Sequence, residues 1–129
     1  MGALISSFAG QEPAPPENSR VKTFHSSADW QRHFNDLKTS SRLVVIDFSA
    51  SWCGPCRFIA PVFHDMSINF TDVEFIKIDV DELSDVAKEF SVQGMPTFVL
   101  VKKGEEIDRV VGAKKDELHK KIQEHQIPT

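Results

Sequence analysis

The sequence predicts an α/β protein, a central mixed β-sheet flanked by helices, with elements in the order β-α-β-α-β-α-β-β-α. Three observations carry that prediction. Short apolar runs fit for strands alternate with segments whose apolar residues recur every three to four positions. "RLVVIDFSA" is apolar almost throughout, the pattern of a strand covered on both faces. "TFVLVKKGEEIDRVV" reads as two strands around a Lys-Gly turn. A chain of 129 residues with 40% apolar composition fits one domain, large enough to bury roughly two-thirds of its unfolded surface.

Residues 9–19, "AGQEPAPPENS", are rich in Pro, Gly and polar groups. Residues 1–19 are therefore expected to form a flexible extension and 20–129 the domain, with order beginning near Val21. "VKTF" (21–24) is a short strand. Ser26 and Asp29 have capping-box spacing before a helix whose Trp30, Phe34 and Leu37 share a face. After the strand containing Asp47, a helix over about 54–69 sets Ile59, Val62, Phe63, Met66 and Phe70 along one stripe. "VEFIKIDV" (73–80) is a strand, and Leu83, Val86, Ala87 and Phe90 mark a short helix. The hairpin turns at Lys103 and Gly104, and "KKDELHKKIQEH" closes the chain as an amphipathic helix.

A net charge of −4 and a pI near 5.7 argue against nucleic-acid partners, and no Lys/Arg cluster offers a local exception. Apolar runs such as "LVVI" and "FVLV" fall far short of the ~20 residues of a membrane span. The N-terminus has no basic residue before Arg20 and no sustained apolar stretch, so neither a secretory signal nor a transit peptide is expected. The compartment expected is reducing and cytoplasmic.

The two cysteines stand together in "FSASWCGPCRF" (48–58). A domain of this size needs no staple, and a close pair links nothing distant, so the pair points to chemistry rather than architecture. It lies where the first strand of a βαβ unit meets its helix, the end at which open α/β sheets present functional loops. Cys53 falls at the helix N-terminus, where free N–H groups and the helix dipole favour a thiolate. Cys56 is one turn further in, within reach of a disulfide. Cys53 is thus expected to be the exposed sulfur and Cys56 the shielded one. Gly54 would permit the tight turn, and Pro55 can start the helix without losing a bonded N–H. An inert disulfide and half a zinc site are the alternatives. Zinc wants four ligands, and the further candidates, such as His119 and His125, lie far along the chain on another element, so no metal site is expected.

"WCGPC" at 52–56 resembles the active site of the thioredoxin family. So do Asp47 six residues before Cys53, Pro61 five after Cys56, "GMPT" at 94–97 and "VGA" at 111–113. The resemblance spans about residues 21–126 and, in "DFSASWCGPC" and the N-terminal extension, is closest to the cytosolic h-type thioredoxins of plants. It implies a protein-disulfide reductase with no bound cofactor. In that chemistry Cys53 as thiolate attacks a target disulfide, and Cys56 then attacks Cys53 and frees the reduced target. Electrons come indirectly from NADPH through a thioredoxin reductase, with glutathione and glutaredoxin as the other route.

The resemblance also assigns supporting roles. Asp47, in a strand fit for burial, becomes a proton relay to Cys56 through water. Burial should raise its pKa, unless the carboxylate reaches water at the strand end. Lys77 on the neighbouring strand is either its partner or a plain surface lysine. Trp52, Met95, Pro96 and Gly112 would frame the target-binding face, with Met95–Pro96 cis and the Met95 backbone free to pair with an extended substrate. Trp52 as core and Gly112 as an ordinary turn glycine remain the other readings. Pro61 is read as structural, bending its helix.

Two rival functions use the same residues. One is a binding module that holds partners on that face without turnover. The other is a glutaredoxin-like or oxidase-like protein, which would resemble Pro-Tyr or Gly-His between the cysteines rather than Gly-Pro. Met1, Gly2 and Ser6 also match the myristoylation pattern Met-Gly-x-x-x-Ser/Thr. One such chain binds membranes only marginally, so any membrane association through Gly2 is expected to be weak and reversible.

Overall fold

The computed structural model describes residues 14–126. Among these residues five strands form one mixed sheet: β1 (Lys22–Thr23), β2 (Val44–Ser49), β3 (Glu74–Asp79), β4 (Thr97–Lys102) and β5 (Glu105–Val111), in spatial order β1-β3-β2-β4-β5. The pairs β1–β3 and β3–β2 are parallel, and β2–β4 and β4–β5 are antiparallel. Four helices among the described residues flank the sheet: α1 (Ser27–Leu37), α2 (Gly54–Asn69), α3 (Ser84–Glu89) and α4 (Lys115–Gln126). This is the predicted element order.

β2 is the centre, and all six of its residues are buried. Its side chains alternate between the two faces. Val44, Ile46 and Phe48 enter a cluster with Trp30 and Leu37 of α1 and Val86 of α3. Val45 enters the opposite cluster, with Ile59, Phe63 and Met66 of α2 and Leu118 and Ile122 of α4. Asp47 shares the parity of Val45 and so lies on the α2 side. Each fully buried side chain of this size contributes about 1.5–3 kcal/mol, so Ile59 and Phe63 contribute strongly to docking α2 on the sheet.

The local signals fold as their chemistry dictates. The Ser26 side chain caps α1 by accepting from the Asp29 amide at 3.1 Å. The hairpin turns at Lys103 (φ 53°) and Gly104 (φ 78°), two positive torsions that match a two-residue type I′ loop. A Cβ on Gly104 would also come within 2.7 Å of Lys38 Cγ. β1 is shorter than the four residues expected. It is an edge strand pairing only with β3, and its neighbours Val21 and Phe24 leave the ladder to pack into opposite core clusters. Among the described residues, no helix is long and apolar enough to cross a membrane.

Candidate active site

The tight turn Ala50–Cys53 follows β2 and is closed by the Cys53 amide donating to the Ala50 carbonyl at 3.2 Å. α2 then begins at Gly54, with Cys53 as its N-cap. Cys53 Sγ accepts a hydrogen bond from the Cys56 amide at 3.2 Å. The sulfur thus occupies the position of a capping oxygen, where an otherwise unpaired helix N–H and the helix dipole both favour negative charge. Cys53 and Cys56 are joined as a disulfide, their Cα atoms 5.3 Å apart.

Two sequence expectations need correction here. Cys53 is not an exposed sulfur in this oxidised form. It is 5% exposed and Cys56 2%, because Cys53 turns inward to cap the helix and packs with Ala50, Val80 and Met95. Nor does the backbone demand glycine at 54. Its φ lies outside the left-handed region, and a Cβ there would meet nothing within 4 Å. Pro55 stands in the first turn as anticipated, and α2 runs on through Pro61 to Asn69.

The other expected residues fall around the pair. Met95–Pro96 is a cis peptide, and the Met95 carbonyl oxygen lies 3.7 Å from Cys53 Sγ. Gly112, with φ 102°, donates its N–H to the Pro96 carbonyl at 2.8 Å, which fastens the end of β5 beside that loop. Trp52 is 64% exposed, so it is not a core residue. Its ring is held by Nε1 donating to Asp81 at 2.8 Å. On β2, on the side of the sheet that α2 covers, Asp47 is 2% exposed. Its register neighbours are Lys77 on β3 and Phe98 on β4. In-register neighbours point to the same face, so Lys77 lies beside Asp47 rather than across the sheet. Gly2 lies outside the described residues.

Sequence reasoning missed Asp81 and Phe58. Asp81 sits in the acidic loop after β3, at the same sheet end as the cysteines, and that placement was its only signal. Phe58, 78% exposed on α2, breaks the stripe of that helix and leaves an aromatic side chain in solvent one turn beyond Pro55.

Two sulfurs that make or break one bond between themselves exchange two electrons and two protons with whatever disulfide or dithiol they meet. Held at a helix N-terminus beside an exposed tryptophan and the Met95–Pro96 loop, such a pair defines a thiol–disulfide oxidoreductase. The comparisons with known proteins agree. The thioredoxin family profile matches residues 22–124. The chain is 60% identical over 126 residues to thioredoxin H2 of Arabidopsis thaliana, covering 94% of this chain and 95% of that one. It is 53% identical to thioredoxin H2-2 of Oryza sativa subsp. japonica, covering 95% and 93%. The crystal structure of thioredoxin NaTrxh from Nicotiana alata superposes with a TM-score of 0.86 at 60% identity, covering 89% of this chain and all of that one. The chain belongs to the thioredoxin family and is similar to its plant h-type members. It acts as a protein-disulfide reductase through the Cys53/Cys56 dithiol, with the redox-active disulfide in place of a bound cofactor. This family sets aside the glutaredoxin-like and oxidase-like readings.

Proposed function

We propose that Cys53 is the nucleophile and Cys56 the resolving thiol. The observation that carries this is the hydrogen bond from the Cys56 amide to Cys53 Sγ at the start of α2. That bond strengthens as the sulfur becomes anionic, so it selects Cys53 as the thiolate. The Cys53 thiolate attacks one sulfur of a target disulfide, and the other leaves as a thiolate that takes a proton from solvent. Asp47 then removes the proton of Cys56, whose thiolate attacks Cys53, closes the Cys53–Cys56 bond and releases the reduced target. Lys77 is the positioning partner of Asp47. Trp52, Met95, Pro96 and Gly112 form the surface on which an extended segment of the target lies, with Gly54 and Pro55 completing the turn that presents Cys53.

The division into an extension, 1–19, and a domain, 20–129, belongs to the same proposal. So do recharging by an NADPH-dependent thioredoxin reductase, with glutathione and glutaredoxin as the second route, and residence in the cytoplasm. Thioredoxin family members act on disulfide targets and are reduced by thioredoxin reductase. NADPH consumption with purified reductase, set against glutathione with glutaredoxin, identifies the donor here. N-terminal myristoylation at Gly2, giving weak reversible membrane association, stands or falls on the mass of the N-terminal peptide from native tissue.

The experiment for the cysteine roles is trapping. Cys56→Ser should accumulate target proteins as mixed disulfides on Cys53, whereas Cys53→Ser should capture almost none. Equal capture by both variants would reverse or abolish the assignment. A purely binding role on the same face predicts unchanged partner capture when both cysteines are replaced, and no reduction of insulin disulfides by the parent protein.

A further inference from the structure

Residues ahead of β1 lie along the back of the active-site helix. The Arg20 amide donates to Ser67 Oγ at 3.0 Å, and its guanidinium reaches the carbonyls of Ser67 at 2.8 Å and Phe70 at 3.2 Å. Ser19 Oγ bonds His64 Nδ1 at 2.5 Å. Ala14 and Pro16 then border a small crevice with Ala60 and Pro61. Traced backward from residue 20, the segment climbs α2 from its C-terminal end toward the cysteines. Between this strap and the sheet edge is an open cleft of about 590 Å³. Ala14, Pro16 and Ser19 wall it on one side, and Thr23, His64 and Lys77 on the other.

The floor of the cleft leads inward. Thr23 on β1 pairs in register with Lys77 on β3, and Lys77 with Asp47 on β2. Because in-register side chains share a face, Thr23, Lys77 and Asp47 form a polar row from the open edge to a buried carboxylate on the α2 side of the sheet. The row stops there, since the next register neighbour is the buried Phe98. A liquid water takes up about 30 Å³, so the cleft has room for several between its polar walls.

We propose that this cleft is the route by which Asp47 exchanges its proton with solvent, and that the strap Ala14–Ser19, pinned by the Ser19–His64 hydrogen bond, is a positioning element that sets how much water reaches it. This rests on the reading of Asp47 as the base for Cys56. In each cycle the Cys56 thiol proton passes to the Asp47 carboxylate. The Cys56 thiolate displaces the target sulfur from Cys53, and protonated Asp47 returns the proton past Lys77 to water in the cleft. The titratable and charged groups that line this path are Lys77 on β3, His64 on α2 and Glu17 on the strap.

Reaction of the reduced protein with a symmetrical aromatic disulfide tests this, because attack by Cys53 and resolution by Cys56 each release one coloured thiol in separate phases. In Ser19→Ala/His64→Ala the strap is unpinned and water reaches the carboxylate more freely, which favours its charged form. The pH midpoint of the second phase should move toward acid by about half a unit to one unit, with the first phase unchanged. His64→Gln, which can keep the bond to Ser19 without titrating, should behave as the parent. Thr23→Leu, which narrows the floor from an exposed edge position, should move the midpoint toward alkali. An unmoved midpoint in the double variant, an equal shift of the first phase, or a full shift in His64→Gln overturns the strap's role. If the midpoint survives in Asp47→Asn, the base assignment itself fails, a result separable from the others.

Discussion

Asp47 is where the residue scale decides most. A carboxylate 2% exposed in the central strand is costly to keep charged, so its presence requires either a compensating partner or a chemical use. In the mechanism proposed above, its register neighbour Lys77 meets the first need and the proton of Cys56 the second. Asn has nearly the same shape but takes no proton from a thiol at neutral pH. Asp47→Asn should therefore slow resolution by Cys56 on the order of 100-fold, the scale of a lost general base, and leave attack by Cys53 nearly untouched. It should also leave the protein as stable or slightly more so, because a buried charge has been removed. Rapid-mixing kinetics beside a urea titration read both quantities, and equal slowing of the two steps would remove Asp47 from the proton path. Asp47 and Cys53 were legible in the sequence because each is a residue type out of keeping with its immediate context. Asp81 was not, since nothing local distinguishes it from other acidic loop residues. Its role appears only when the loop after β3 is brought beside Trp52, 2.8 Å from the indole N–H.

At the scale of elements, what is local was readable and what is borrowed was not. The bounds of α2, Gly54–Asn69, follow from Pro55 at its start and an apolar stripe repeating along its length, all within one segment. The Ser26 cap and the Lys103–Gly104 turn are equally local. The exposure of Cys53 is different, because it depends on Ala50, Val80 and Met95, which come from three separate connections. Spacing placed Cys53 at the helix start and Cys56 within its first turn, but did not show that both residues are buried, at 5% and 2% exposure. Gly54 shows the opposite error, a residue type taken as a backbone requirement. The torsion and the open space around it show that alanine would fit, whereas Gly104 and Gly112, with φ of 78° and 102°, are the positions that favour glycine. The strap along α2 was hidden for a related reason. Pro-rich composition marks a segment that forms no regular element, and it carries no information on whether Ser19 meets His64.

For the whole molecule, the element order was legible but the spatial order β1-β3-β2-β4-β5 was not, since it depends on which edge each crossover takes. The same long-range assembly builds the latch that holds α4 to the edge strand β5. Lys121 Nζ and His125 Nε2 bond the Asp108 carboxylate at 2.7 and 3.0 Å, and the Arg109 amide adds a third donor at 2.8 Å. Through Leu118 and Ile122, α4 closes one of the two core clusters, so the latch bears on global unfolding. Burial pushes the Asp108 carboxyl up, but the bonds from Lys121, His125 and Arg109 outweigh it and hold its pKa at about 2, below the ordinary 3.8. A carboxyl depressed in the folded state stabilises it fully above the unfolded value and loses that contribution as pH falls through the folded one. Because its side chain keeps 25% exposure, solvent screening leaves about 1 kcal/mol. Asp108→Asn should therefore lower the unfolding free energy by about 1 kcal/mol at neutral pH, a Tm drop of about 3–6 °C in a protein of this size. The gap to the parent should close between about pH 4 and pH 2, where the parent's carboxylate takes up its proton. Lys121→Met should cost a similar amount and be less than additive with Asp108→Asn, since the two share the Lys121–Asp108 bond while Lys121 alone also bonds the Arg109 carbonyl. Urea titrations across that range give the answer. A gap that persisted below pH 2 would show that Asp108 acts through its shape and neutral hydrogen bonds, and that its charge does not hold α4 in place.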